Sequence, residues 1–103
     1  MYFAMIKRVV MMQLLPESES RFTGIFKEAK HLIRSQPGCE GVELLRSSGE
    51  RFINIWTISL WHSEEALNAY RDTDLFLTTW KAVKPLFTAK TKAWTLTSLD
   101  LLS

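Results

Sequence analysis

FINIWTISLWHSEEALNAYRDTDLF, from Phe52 to Phe76, is the stretch on which the fold turns, and it divides at Trp61. Ahead of the division the chain reads as a strand. Phe52, Asn54, Trp56, Ile58 and Leu60 fall on one face, and Ile53, Ile55, Thr57, Ser59 and Trp61 on the other. Both faces are largely apolar, so this strand is expected to be covered on both sides. Beyond Trp61, Ser63 has the chemistry of a helix N-cap, and Glu64 and Glu65 fall in the first turn, against the positive helix end. That helix runs to about Arg71. Asp72-Thr73-Asp74 then restarts it, and Leu75, Phe76, Thr79, Trp80 and Val83 line one face of a further helix that Pro85 stops.

N-terminal to this stretch, Met5 to Leu14 reads as a first strand, with Lys7 and Arg8 on opposite faces. Pro16-Glu17-Ser18 signals a helix start. Phe22, Ile25, Phe26, Ala29, Leu32 and Ile33 then form a stripe at helical spacing, which must end before Pro37. Pro37-Gly38-Cys39-Glu40-Gly41 is a turn, Val42 to Arg46 a short second strand, and Ser47-Ser48-Gly49-Glu50 a hairpin connection. Ala89 to Leu99 alternates Thr and apolar residues as a last strand. The order is β-α-β-β-α-β with the second helix broken in two, a ferredoxin-like α+β arrangement with an antiparallel sheet. Its helices cover one sheet face and leave the other for a partner or ligand. Because the third strand is apolar on both faces, a homodimer is expected.

At 103 residues the chain is one domain, 1–103, with a core over about 5–98; Met5 is an alternative start to Met1. Four Trp in so short a chain imply more apolar surface than a small core consumes, at a subunit interface or a pocket wall, or else a Trp-rich core. A net charge of +2, with basic residues spread along the chain, gives no nucleic-acid footprint. The Lys81, Lys84, Lys90, Lys92 cluster reads as a solvated helix face and strand edge. The single Cys excludes an intramolecular disulfide, so a reducing, cytoplasmic setting is expected. Tyr2 to Ile6 precedes Lys7-Arg8, the wrong order for a signal peptide. No apolar run approaches the ~20 residues of a membrane span. The two His lack metal-ligand spacing, so no metal is expected.

Three of these features together, the Pro37-Gly38-Cys39-x-Gly41 turn, the Trp61-x-Ser63-x-Glu65-Ala66 junction and Asp74-Leu75-Phe76 opening the last helix, resemble the antibiotic biosynthesis monooxygenase family across about residues 5–98. The resemblance implies ferredoxin-like subunits paired into a dimeric α+β barrel. It also implies oxidation of small phenolic or quinol-like aromatics by O2 with no metal, flavin or haem. An electron-rich phenolate can itself pass an electron to O2, and the protein supplies a dry, shaped cavity. One branch of the superfamily degrades haem with an axial His in the helix after the W-x-S motif, an Asn on the first strand, and the Trp. Trp61 matches the Trp, but the His position falls near Trp80 and the Asn position near Lys7. An indole cannot ligate iron, so haem degradation is not expected. Some quinone-forming members use an Asn on the Trp face of the third strand, where this chain has Thr57.

The candidates follow. Trp61, Thr57, Tyr70 and Trp80 are expected to line a substrate cavity; Trp61, His62 and Lys7 are the candidate catalytic groups. Each has a plainer alternative. Trp61 can plug the sheet–helix junction, Trp80 and Tyr70 can be packing residues, His62 can be a surface turn residue and Lys7 a strand-edge lysine. The expected function is a cofactor-independent oxygenase acting as a homodimer on a small aromatic molecule. The alternatives are a non-catalytic dimeric module that binds a small apolar molecule, and haem binding without turnover.

Overall fold

The structure, a computed structural model, describes residues 5–99, and the alternative start at Met1 lies outside them. Seven main elements follow one another: β1 (Ile6–Leu14), α1 (Glu19–Arg34), β2 (Cys39–Ser48), β3 (Ile53–Trp61), α2 (Glu64–Arg71), α3 (Asp74–Val83) and β4 (Lys92–Thr97). Single 3-10 turns at Pro16–Ser18 and Lys84–Leu86 precede α1 and follow α3, each with its proline in the first positions, where a missing N–H costs nothing. The strands form one antiparallel sheet in the order β2-β3-β1-β4. This is the ferredoxin-like α+β fold expected from the sequence.

The register decides which side chains share a face. Ser59 of β3 stands opposite Arg8 of β1, and Arg8 stands opposite Thr95 of β4. Thr57 is opposite Val10, and Val10 opposite Ala93. These residues, with Ile6, Met12, Leu14, Ile53, Ile55 and Trp61, face the helices. The core lies there, where α1 presents Phe22, Phe26, Ala29 and Ile33, α2 Leu67 and α3 Val83. Lys7, Val9, Met11, Trp56, Ile58, Leu60, Trp94 and Leu96 occupy the opposite face, over which no helix of the described residues packs.

Three local readings shift. Leu32 faces solvent rather than joining the α1 stripe, which turns on Phe26, Ala29 and Ile33. β2 is longer than Val42 to Arg46, because a bulge between Cys39 and Gly41 lets the strand pair with β3 from Trp61 onward to Ile53. β4 is shorter than Ala89 to Leu99, because β1 pairs with it only from Ile6 to Met11. Beyond Met11, β1 instead meets the segment after α3: Leu14 bridges Phe87, and the Thr88 N–H donates to the Gln13 carbonyl at 2.9 Å.

Candidate functional site

The turn and junction that mark the sequence lie against each other. Gly38 has φ +84°, in the left-handed region, and a Cβ placed there would come within 2.6 Å of the Ala66 Cβ in α2. The Gly38 carbonyl accepts from the His62 N–H at 2.8 Å. Ser63 caps α2, its Oγ accepting from the Ala66 N–H at 3.1 Å. The P-G-C turn and the W-x-S-x-E-A junction are therefore two halves of one contact, which fixes how α2 leaves β3 and so where Tyr70 and Arg71, at the other end of α2, come to lie.

Between the sheet and the helices is a cavity of about 140 Å³. Its interior is apolar: Val10 and Met12 from β1, Phe22 and Phe26 from α1, and Phe76, Trp80 and Val83 from α3. Its polar groups are Thr57 and Ser59 from β3, Tyr70 and Arg71 from α2, Thr79 from α3, and Arg8 from β1. Neither a carboxylate nor an imidazole is among the lining residues. An engineered cavity of about 150 Å³ accepts benzene, so the space matches a single aromatic ring. Trp80 in the wall offers no lone pair to iron.

An aromatic file runs along the helix side. Trp61 stacks on Tyr70 at 5.0 Å, Tyr70 meets the edge of Phe76 at 5.3 Å, and Phe76, Trp80 and Phe87 continue it at 6.1 and 5.5 Å. Burial pushes the Tyr70 phenol up to about 12, the nearby Cys39 adding to the shift. At neutral pH Tyr70 is thus a neutral hydrogen-bond donor and no base. The Trp61 indole donates to Ser59 Oγ at 2.8 Å, leaving the Ser59 hydroxyl proton free to donate onward.

The four expected cavity residues divide. Thr57, Tyr70 and Trp80 line the space. Trp61 does not: it is 0% exposed and stands behind the lining, stacked on Tyr70 and bonded to Ser59. Lys7 lies on the opposite sheet face, between Leu60 and Leu96, and its neighbour Arg8 enters the cavity instead. His62 sits outside, its side chain 51% exposed and its Nε2 3.1 Å from a Glu40 carboxylate oxygen. The residues that sequence reasoning passed over are Arg8, Ser59 and Arg71. Arg8 carried a signal, since it shares strand parity with Ile6, Val10 and Met12. Lys7 shares parity with Val9 and Met11, however, and the pattern alone does not rank the two faces.

Among the described residues no group of three or more His, Cys, Asp or Glu could hold a metal ion, and no helix is long and apolar enough to cross a membrane.

No curated protein matches the chain. Solved structures do. A candidate antibiotic biosynthesis monooxygenase from Nitrosomonas europaea superposes with a TM-score of 0.86 at 14% identity, covering 97% of this chain and 95% of its own. A second, from Caulobacter crescentus CB15, gives 0.85 at 23% identity over 96% and 93% of the two chains. A mutant of SnoaB, described as a cofactor-independent oxygenase from Streptomyces nogalater, gives 0.79 at 18% identity over 95% and 96%. At such identities these likenesses speak for the fold. The family model for antibiotic biosynthesis monooxygenases matches residues 5–82, which contain the turn, the junction and nearly every cavity residue, and the chain belongs to that family.

Proposed function

We propose that this protein is a cofactor-independent monooxygenase that oxidises a small phenolic or quinol-like aromatic with O2, acting as a homodimer in a reducing compartment such as the cytoplasm. The observation that carries the reading is the cavity itself, a space for one ring with apolar walls and a cluster of neutral hydroxyl donors. In this chemistry the ionised substrate gives one electron to O2, the resulting radical and superoxide combine at a ring carbon, and the peroxide anion takes up a proton from water. The hydroperoxide so formed loses water. A ring C–H thereby becomes C=O; one atom of O2 stays in the quinone and the other leaves as water. The protein's part is to hold the ring away from bulk water and to hydrogen-bond the oxygen on which charge resides.

Thr57, Ser59 and Tyr70 are the groups for that oxygen, and Trp80 is the wall for the ring face. Trp61 acts by positioning, since it holds both Tyr70 and the Ser59 hydroxyl. With no carboxylate or imidazole in the lining, the substrate proton leaves to water, or the substrate arrives already ionised.

The same lack of a base favours a second reading, a non-catalytic dimeric module that binds a small aromatic. Oxygen consumption by purified protein against hydroquinones, naphthols and anthrones separates the two, with binding followed in parallel as a shift in melting temperature. Uptake on a one-ring quinol, lost in Tyr70→Phe or Thr57→Val, supports the oxygenase. Melting shifts with no uptake on any compound would establish the binding module.

A further inference from the structure

The geometry points to an aromatic carboxylate as the ligand of this cavity, its ring in the apolar interior and its carboxylate between Arg8 and Arg71. The inference rests on the cavity being the functional site and specifies what enters it.

Two arginines are among the residues that line the space, and no acid is. Arg8 rises from the helix-facing side of β1, in a row with Ser59 and Thr95, and its Nη1 donates to Thr95 Oγ1 at 2.7 Å. Arg71 ends α2. The ion pairs formed by the described residues are Arg46–Glu19 and His62–Glu40, so neither cavity arginine has a carboxylate within 4.0 Å among those residues. Two like charges converging on a partly desolvated space oppose each other, and an anion between them relieves that opposition. The guanidinium fork matches a carboxylate in a bidentate, charge-assisted contact. β4 marks the way in: Ala93 and Thr95 on its helix-facing side are exposed, so the arginine end opens to solvent while the Phe22, Met12 and Val83 end is closed. The ligand is therefore polar at one end and apolar at the other. The volume of about 140 Å³ limits the apolar part to one ring. If the site is an oxygenase, its substrate is a hydroxylated benzoate, with the hydroxyl toward Thr57, Ser59 or Tyr70.

Calorimetric titration of 2,5-dihydroxybenzoate against the nearly isosteric neutral 2,5-dihydroxybenzamide isolates the charge. The acid should bind about tenfold tighter or better, a difference of ~1.4 kcal/mol. That ratio should fall toward one in Arg8→Gln and in Arg71→Gln, each checked for an unchanged circular dichroism spectrum. Arg71 is exposed, so its variant stands even if Arg8→Gln folds poorly. Equal binding of acid and amide would overturn the inference, as would a ratio that survives the Arg71 change, or no binding of either compound at millimolar concentration. Oxygen uptake read on the same samples keeps the two ideas apart. Acid preference without uptake upholds the anion site and removes the oxygenase. Uptake on hydroquinone with no acid preference does the reverse.

Discussion

At the scale of single residues, Tyr70 and Trp61 carry the most checkable chemistry. The Tyr70 phenol is raised from near 10 to about 12, first by burial and then by Cys39. The neutral form is favoured in the folded state. The stabilisation is therefore fully present below the unfolded value near ~10 and is lost as pH rises through about 12, because the unfolded chain ionises first. A tyrosinate absorbance titration should show one transition near pH 12 that is missing in Tyr70→Phe; a Tyr70 transition near 10 would contradict the burial. Trp61 needs a gentler probe than alanine. It is wholly buried, and truncating such a side chain costs roughly 3–5 kcal/mol, so Trp61→Ala would report stability rather than ligand contact. Trp61→Phe keeps an aromatic ring against Tyr70, removes the bond to Ser59 and gives up only part of the buried ring volume. It should fold, with a smaller ligand-induced melting shift than the parent; an undiminished shift would remove Trp61 from any positioning role. Both residues were legible in the sequence, Trp61 as the end of a strand and Tyr70 one helix later. The distinction between lining the cavity and standing behind it was not, because it depends on which rings stack across α2 and β3.

At the scale of elements, the strongest sequence signals were those with a local cause. Ser63 caps α2 and Thr73 caps α3, each hydroxyl accepting from a backbone N–H three residues on, and both helices start where those residues predict. Strand ends were less legible, because they depend on pairing: β2 and β4 stop where β3 and β1 stop offering partners. The Pro37-Gly38-Cys39 turn shows how a local motif can have a distant reason. Gly38 is required by its φ of +84° and by the Ala66 Cβ, which a new methyl would meet at 2.6 Å. Since Ala66 belongs to a helix and cannot rotate away, Gly38→Ala should cost about 2 kcal/mol or more in denaturant unfolding. Gly24 is the control. It lies within α1, with nothing inside 4 Å of an added Cβ. Gly24→Ala should stabilise by roughly 0.5–1 kcal/mol through helix propensity. Equal effects of the two substitutions would mean that the turn does not brace α2.

At the scale of the whole molecule, the uncovered sheet face is the feature that a lone subunit does not explain. The fold is a two-layer slab, 20 Å across its shortest axis, with helices on one side only. On the other side Trp56 and Trp94 reach over β1 and stack at 6.3 Å, and Val9, Met11, Ile58, Leu60 and Leu96 surround them. Trp94 is 41% and Leu96 48% exposed; Gln13, Glu43 and Lys92 lie at the margins of the patch, and Lys7 enters it between Leu60 and Leu96. An apolar, aromatic centre within a polar rim is the anatomy of a protein interface. The double-sided apolar pattern of β3 already carried that message, since a strand with Ile53 and Ile55 on one face and Trp56 and Ile58 on the other leaves no face suited to water. The same symmetry hid the location of the cavity, because either face could have held it. The proposed homodimer would seat a second copy of the chain here, sheet to sheet. In sedimentation at low micromolar concentration the protein should be a dimer. Trp56→Ala and Trp94→Ala should each weaken it about tenfold or more, because buried aromatics at the centre of an interface dominate its energy. Both positions lie across the sheet from the cavity, so each monomeric variant should keep its fold by circular dichroism. A monomeric parent, or two variants as dimeric as the parent, would mean that this face meets something other than its own copy.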